Sequence, residues 1–142
     1  TVFGKYITPS RVYLSCTRPS AYAKKGTLSS FVLGYESKKF VIVYPFTKTR
    51  EWYLLPQPQR QKMMDEHIRV SEKYPQVTLN TTYSFGISDQ DFMLAFECDN
   101  LRDFQNLIMD LRQTKVSAYV AVDTPMLTCV KKDIIPLITS LG

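Results

Sequence analysis

The stretch Val43–Tyr83 reads VYPFTKTREWYLLPQPQRQKMMDEHIRVSEKYPQVTLNTTY and joins the end of an apolar strand to a long amphipathic pattern. Charged side chains fill most of the positions between the apolar ones, which predicts a helix over residues 56–74 with one apolar face. That face contains, at the helical spacing i, i+4, i+7 and i+11, Met63, His67, Val70 and Tyr74. The only histidine of the chain therefore points toward apolar material.

The residues alone leave two interpretations of His67 open. In the first, a neutral imidazole packs in the core and satisfies its nitrogen atoms locally. In the second, it is an axial ligand of haem, because a porphyrin supplies four of the iron ligands and needs only one from the protein. A zinc site is disfavoured, since zinc sites usually combine several protein ligands.

The other elements follow from strand alternation and helix capping. They are a buried strand at Phe40–Phe46, an antiparallel hairpin of Val77–Ser84 and Asp91–Cys98, a helix at Leu101–Arg112 that Asn100 caps, and a last strand at Ser117–Val122 that Pro125–Val130 extends. The order β-α-β-β-α-β predicts an α+β fold of the ferredoxin-like kind, with one antiparallel sheet and two helices on one face. The second face needs a cover, which we expect from another repeat or a partner chain.

The chain divides into three parts. Residues 1–38 are predicted to hold N-terminal strands, at Val2–Tyr6 and Arg11–Cys16, and a mobile loop; residues 39–130 form the ferredoxin-like domain, and residues 131–142 a C-terminal tail. The sequence begins at Thr1 without a methionine, so further residues upstream are expected. No apolar run approaches the roughly 20 residues of a membrane span, and no signal peptide is visible.

Charge and cysteine content narrow the function classes. The net charge is +5, and the basic residues occur as scattered pairs that are not interleaved with aromatic residues. Nucleic-acid binding is therefore not predicted, whereas an anionic ligand such as a porphyrin with several carboxylates fits the charge. The three widely spaced cysteines, Cys16, Cys98 and Cys129, form no disulfide pattern and predict reduced thiols in the cytoplasm, with a haem thiolate ligand as the minor alternative.

Four motifs resemble the chlorite dismutase-like superfamily of haem proteins: YPFTKTREWYLLP, MMDEHI, NTTYSFGISDQDFMLAFE and MDLRQTKVSAYVAVDTPMLTC. Within it the chain is most similar to coproheme decarboxylases, especially archaeal-like members that carry the chlorite dismutase name. The resemblance extends from Tyr13 to Cys129. Family members have two ferredoxin-like repeats and place haem in the C-terminal one, which is the repeat this chain matches. Either the first repeat is missing from this sequence, or the chain is a short form.

The resemblance implies a role for each matching residue. His67 corresponds to the proximal iron ligand, and Tyr44 to the tyrosine of the YP-x-x-K motif that forms a radical in decarboxylases. Lys48 is the lysine of that motif, near a propionate. Tyr13 and Ser117 lie in segments resembling those that hydrogen-bond propionates. A neutral imidazole in an apolar face suits iron ligation, because burial disfavours its protonated form.

One departure from the family pattern concerns the distal side of the haem. Chlorite-degrading members carry an arginine there, and the position thirteen residues after His67 is Asn80, or Leu79 if the loop is one residue shorter. The stretch Val77–Tyr83 contains no arginine, and it also lacks the glutamine or histidine of well-known decarboxylases. Asn80 is therefore the candidate cofactor-binding residue on the distal side, and chlorite chemistry is disfavoured.

The leading functional prediction is a haem-biosynthesis oxidoreductase. It would use hydrogen peroxide to decarboxylate iron coproporphyrin III (coproheme) to haem b, with the iron porphyrin as substrate and redox cofactor. The alternatives are a haem b peroxidase or chlorite dismutase-like enzyme, and a non-catalytic haem-binding or sensing module. By family analogy we expect a homo-oligomer, a pentamer, located in the cytoplasm.

Overall fold

The structure, a computed structural model, describes residues 10–22, 34 and 37–140. The elements in chain order are β1 (Phe40–Lys48), α1 (Arg50–Leu54), α2 (Gln57–Ser71), β2 (Thr78–Tyr83), β3 (Phe92–Cys98), α3 (Leu101–Arg112), a 3-10 helix (Lys115–Tyr119), β4 (Val120–Val122), β5 (Leu127–Val130) and α4 (Ile134–Thr139). The predicted strand Val2–Tyr6 and most of the predicted loop lie outside the described residues.

The strands form one antiparallel sheet in the order β2-β3-β1-β4. Both β4 and β5 pair with the free edge of β1: β5 lies beside its first half, with Val43 opposite Leu127, and β4 beside its end, with Thr47 opposite Val122. The residues between β4 and β5 contain the cis peptide bond before Pro125. This arrangement confirms the predicted mixed α and β class with an antiparallel sheet.

The main core lies between the sheet and the two long helices. Ile42 and Phe96 face each other across β1 and β3, and both are almost fully buried. From α3, Phe104 and Leu107 pack into the same cluster, while Val70 of α2 packs at its margin. Side chains two apart on a strand share a face, and those three or four apart on a helix do too, so the apolar periodicities of the sequence meet here.

Helix α3 begins as the sequence predicts. The side chain of Asn100 accepts a hydrogen bond from the backbone N–H of Arg102, at 3.0 Å, and so caps the first turn. The predicted helix over residues 56–74, however, is shorter, and a separate short helix, Arg50–Leu54, precedes it. The two are interrupted at Leu55, whose extended backbone (ψ 143°) is the conformation favoured before a proline.

Two predicted strands differ from the structure. The segment 117–122 begins as the 3-10 helix, and only Val120–Val122 is extended. Ser117 accounts for this, because its hydroxyl lies 2.7 Å from two backbone oxygens of the preceding turn and keeps the chain turning. The segment 11–16 forms no strand, and its one ladder contact is a bridge between Cys16 and Tyr83.

Candidate functional site

A cavity of about 370 Å³ lies between the sheet and α2 and α3. Alternate residues of three neighbouring strands line it, because alternate strand residues point to the same face of a sheet. The strand residues on its wall are Tyr44, Phe46 and Lys48 from β1, Leu79, Thr81 and Tyr83 from β2, and Phe92, Leu94 and Phe96 from β3. A concave, mainly aromatic and aliphatic wall with few polar groups is typical of a small-molecule or cofactor site.

His67 reaches this cavity from α2. Burial, with a contribution from the charge of Lys48, lowers the pKa of the imidazole to about 4, so the ring is neutral at physiological pH. Its Nδ1 atom is buried and has no hydrogen-bond partner among the described residues. A buried polar atom without a partner is costly, and a ligand that accepts an electron pair or a hydrogen bond would remove that cost.

Lys48 ends β1 and is held in place at both its backbone and its side chain. Its Nζ atom donates to the carbonyl oxygen of Val116 at 3.3 Å and lies 4.8 Å from the ring centroid of Trp52. Its backbone N–H donates to Asp91 Oδ2 at 2.8 Å, and the same oxygen accepts from the hydroxyl of Tyr53 at 2.7 Å. Burial lowers the pKa of the Lys48 ammonium to about 8, so this group can gain or lose a proton near neutral pH.

Tyr44 stands in the middle of β1 with only 4% of its surface exposed. Its ring is nearly parallel to that of Phe96, with an interplanar angle of 8° and centroids 6.0 Å apart. Burial, and secondarily the negative charge of Asp123, raises the pKa of the phenol well above its ordinary value. The hydroxyl therefore keeps its proton in the resting site, and packing on a central strand restricts its movement.

The cavity brings together four of the six residues predicted from the sequence. His67, Tyr44 and Lys48 line it, and so does Ser117 at the turn after α3. Tyr13 is not part of the wall; its hydroxyl accepts a hydrogen bond from Arg11 Nη1 at 3.1 Å.

Asn80 also lies elsewhere, on the opposite face of the sheet. It is 1% exposed, and its Nδ2 donates to Glu97 Oε1 at 2.8 Å. The count of thirteen residues from His67 leads to Asn80 on β2, a strand that does line the cavity. The count could not show on which face of the sheet Asn80 lies, because the pairing register decides the face. Leu79 and Thr81, the neighbours of Asn80, face the cavity instead.

Sequence reasoning missed two charged residues at the cavity. Arg112, the last residue of α3, and Asp123, which follows β4, both line the wall, and their Nη2 and Oδ2 atoms lie 3.5 Å apart. A basic residue in the last turn of a helix is expected from the helix dipole alone. No pattern in the sequence therefore distinguished Arg112 from an ordinary surface arginine.

Within residues 10–22, 34 and 37–140, no group of three or more His, Cys, Asp or Glu side chains could hold a metal ion. In the same part of the chain, no helix is both long enough and apolar enough to cross a membrane.

The sequence profile of the family described as Chlorite dismutase matches residues 1–132. This chain belongs to the chlorite dismutase family. It is 33% identical over 128 residues to a coproheme decarboxylase of Mycolicibacterium smegmatis, an alignment that covers 90% of this chain and 55% of the relative. The chain thus spans about half the length of the curated relative that it matches.

Two solved structures share the fold. The chlorite dismutase of Candidatus Nitrospira defluvii, in complex with imidazole, is 26% identical and superposes with a TM-score of 0.73, covering 87% of this chain and 55% of that one. A heme-binding protein of Thermus thermophilus is 24% identical, with a TM-score of 0.70 over 76% of this chain and 46% of that one. The second likeness concerns the fold alone.

Proposed function

We propose that this chain binds an iron porphyrin through His67 and performs the peroxide-dependent oxidative decarboxylation of iron coproporphyrin III to haem b. The observation that carries the proposal is the buried Nδ1 of a neutral His67, without a hydrogen-bond partner among the described residues, in the same cavity as Tyr44 and Lys48. The 33% identity to a coproheme decarboxylase supports the choice of reaction.

The residues present fit an iron porphyrin. A neutral imidazole is a competent ligand for haem iron, and one such ligand is sufficient. The aromatic and aliphatic side chains of the wall suit the faces of a macrocycle, while Lys48 and Arg112 offer positive charge to its carboxylates. When bound, the iron porphyrin supplies the redox centre and is also the substrate.

The side chains of the cavity have distinct roles in this proposal. His67 binds the iron and orients the macrocycle. The Lys48 ammonium binds a propionate and, with its pKa near 8, can deliver or accept a proton at Nζ. The Tyr44 hydroxyl holds the hydrogen that is lost when this residue is oxidised, and its packing on Phe96 keeps the phenol positioned toward the substrate side chain.

The side chains that β2 presents to the cavity distinguish the proposed reaction from the alternative functions. Its cavity-facing residues are Leu79, Thr81 and Tyr83, none of which carries a guanidinium that could hold a departing oxyanion. Chlorite degradation, for which the family resemblance implies an arginine at this position of the chain, is therefore the weaker enzymatic alternative, since the Arg112 guanidinium of the cavity comes from α3. A non-catalytic haem-binding module is the second candidate, because β2 also offers no histidine or glutamine to the cavity.

One assay tests the reaction directly. The protein is mixed with iron coproporphyrin III and hydrogen peroxide, and mass spectrometry follows the porphyrin. We expect two successive losses of carbon dioxide. Light scattering serves as a control that the protein stays dispersed during the assay. A bound porphyrin whose mass does not change would favour the haem-binding module, whereas a porphyrin that does not bind would reject both candidate functions.

The proposal also includes a ferredoxin-like repeat as the fold and a homo-oligomer as the assembly. The strand order β2-β3-β1-β4, with α2 and α3 packed on the sheet, supports the proposal of a ferredoxin-like repeat. Apolar side chains of α4 are largely exposed, with Ile134 at 72% and Ile135 at 74%. We propose that copies of this chain cover such surfaces in a homo-oligomer, a pentamer by family analogy. The cytoplasmic location stays a prediction. Light scattering at micromolar concentration should give an oligomer, and a monodisperse monomer would contradict it.

Replacing Asn80 with alanine should destabilise the fold without weakening porphyrin binding. The change removes the 2.8 Å hydrogen bond to the buried carboxylate of Glu97, a loss of about 1–3 kcal/mol in unfolding free energy. Urea denaturation measures this loss, and titration with iron coproporphyrin III measures affinity. Thr81→Phe is the matched control, because it adds volume on the cavity side of the same strand and should lower affinity. A clear loss of affinity for iron coproporphyrin III in Asn80→Ala would mean that Asn80 contributes to porphyrin binding after all.

The affinity for a carboxylated porphyrin should fall as pH rises above about 8. Below the pKa of Lys48, about 8 in the free protein, the ammonium is charged and pairs with a propionate. Above it the lysine must take up a proton on binding, which weakens affinity by up to about tenfold per pH unit until the pKa of the complex is reached. His67 stays neutral throughout, since its pKa is about 4.

Fluorescence titration with zinc coproporphyrin III between pH 7 and pH 10 measures this effect. The zinc porphyrin has the same carboxylates as the iron porphyrin, and zinc has no redox chemistry that could remove them. Lys48→Met is the control: its affinity should be lower below pH 8 and should approach that of the parent at high pH. Parallel pH curves for the parent and the variant would show that Lys48 does not bind the carboxylate.

A further inference from the structure

Lys48 lies at a point of β1 where the regular sheet no longer holds the backbone on both sides. The ladder between β1 and β3 ends at the pair of Phe46 and Phe92, two residues before Lys48. On the other edge the pairing with β4 is irregular, since its register shifts between Thr47 and Lys48. The direction in which the Lys48 side chain enters the cavity therefore depends on contacts beyond the regular ladder.

The side chain of Asp91 provides such a contact. Successive N–H groups of a strand point to opposite edges. The Thr49 N–H donates to the carbonyl oxygen of Tyr119 at 2.9 Å, on the side of β4, so the Lys48 N–H points toward β3. There it donates to Asp91 Oδ2 at 2.8 Å. Because Asp91 directly precedes β3, its carboxylate continues the hydrogen bonding past the last backbone pair of the ladder.

A second hydrogen bond fixes the same carboxylate. The hydroxyl of Tyr53, from α1, donates to Asp91 Oδ2 at 2.7 Å. The ring of Tyr53 in turn packs edge-on against Phe85, with centroids 5.8 Å apart. Asp91 is thereby held between α1 and the end of β1. Loss of the phenol alone would leave the bond from Asp91 to the Lys48 backbone in place.

The Lys48 ammonium depends on this fixed backbone. Its Nζ reaches the carbonyl oxygen of Val116 at 3.3 Å and lies 4.8 Å from the ring centroid of Trp52. The bond to Val116 is already long, so a small displacement of the Lys48 backbone would break it. A lysine side chain has a flexible four-carbon stem, and without these contacts its ammonium would turn toward solvent.

We propose that Asp91 is a positioning residue for Lys48, and that its hydrogen bond to the Lys48 backbone sets where the ammonium meets a carboxylate of the porphyrin. The inference deepens the proposed function, on which it rests. Asp91 is not among the described residues that line the cavity, so it acts through Lys48 and does not touch the porphyrin. The role requires an oxygen that accepts the hydrogen bond, and it does not require a negative charge.

The test compares variants of Asp91 in the full chain at pH 7. Asp91→Ala should bind zinc coproporphyrin III about fivefold more weakly than the parent, as expected when a charge-assisted contact is misplaced. It should decarboxylate coproheme about tenfold more slowly, because small displacements of reacting groups are costly. Asp91→Asn keeps one carbonyl oxygen for the backbone N–H and should stay within about twofold of the parent. Equal losses in Asp91→Asn and Asp91→Ala would contradict positioning by this hydrogen bond.

Asp99→Ala is the matched control for loss of a carboxylate that holds the β1 backbone. Asp99 Oδ1 accepts a hydrogen bond at 3.0 Å from the backbone N–H of Lys39, just before the opposite end of β1 and outside the cavity. This variant should keep the parent's affinity and rate. If it loses as much as Asp91→Ala, general loosening of β1 explains both variants and the inference fails.

Two further measurements separate positioning of Lys48 from distortion of the cavity. In a Lys48→Met background, Asp91→Ala should have no further effect on affinity, because the ammonium that it positions is gone. An uncharged zinc porphyrin with hydroxyalkyl side chains should bind the parent and Asp91→Ala equally. A loss of affinity in either experiment as large as that of the single variant for zinc coproporphyrin III would contradict the inference.

Asp91→Ser replaces Asp91→Ala if the alanine variant does not fold, since its hydroxyl can hold a water molecule at the Lys48 N–H. If the variant without the carboxylate binds zinc coproporphyrin III and decarboxylates coproheme as the parent does, this inference fails while the proposed function stands. If the parent itself binds no coproporphyrin, both fail.

Discussion

Replacing His67 with alanine is expected to reduce the affinity for iron coproporphyrin III by about 100-fold or more, equivalent to about 3 kcal/mol. The imidazole is the proposed iron ligand, and the described part of the chain offers no cluster of other metal-ligating side chains. The Soret band of any porphyrin that still binds should shift, because the iron loses its nitrogen ligand. Absorbance titration measures both effects.

The His67→Ala variant carries its own control, because truncation leaves space in the cavity where the ring was. Added imidazole should enter that space and restore the position of the Soret band, although free imidazole is not covalently attached to α2. The fold should survive, since the change also removes a buried nitrogen that has no hydrogen-bond partner among the described residues. An unchanged spectrum and affinity would mean that His67 is a core histidine and that the iron-porphyrin proposal is wrong.

Replacing Tyr44 with phenylalanine is expected to abolish nearly all decarboxylation while leaving porphyrin binding intact. The ring keeps its packing on Phe96, so only the hydroxyl and the hydrogen it carries are lost. If oxidation of this phenol is required, loss of a positioned reacting group costs a factor of about 10⁵ or more in rate. Mass spectrometry of the porphyrin after peroxide addition measures the loss.

The matched comparison for Tyr44→Phe is Lys48→Ala, which should slow the reaction less completely and weaken binding as well. Tyr53→Phe is a second control, because it removes a phenol that lines the same cavity but hydrogen-bonds to Asp91. It should retain decarboxylation. Turnover of coproheme by Tyr44→Phe at the parent's rate would reject the decarboxylase assignment and favour the haem-binding module.

Local patterns predicted the elements in which apolar and polar residues alternate or recur at a helical spacing. The alternation in β1 and in the β2–β3 hairpin, and the Asn100 cap of α3, correspond to what the structure contains. The prediction of the last strand failed at its start, because the hydrogen bonds of Ser117 keep the chain in a turn there. The helix after Pro56 was predicted, but the short helix α1 before it was not.

Motif resemblance grouped His67, Tyr44 and Lys48 as candidates, and all three line one cavity in the structure. It could not decide which face of the sheet Asn80 occupies, because a shift of one residue along a strand moves a side chain to the other face. Tyr13 lies outside the cavity wall for a different reason: its segment has one ladder contact with the sheet, at Cys16, so strand geometry does not direct its side chain.

The sequence by itself predicted the order of the main strands and the two long helices and the apolar face that carries His67, and it supplied candidates for iron ligation and carboxylate binding. Only the tertiary structure decided which side chains share the cavity, because sheet register and helix packing bring together residues far apart in the chain. The pKa values of His67 and Lys48 belong to this second group, since burial among distant residues lowers both. So does the position of Arg112, whose place beside Asp123 depends on how α3 and β4 meet at β1.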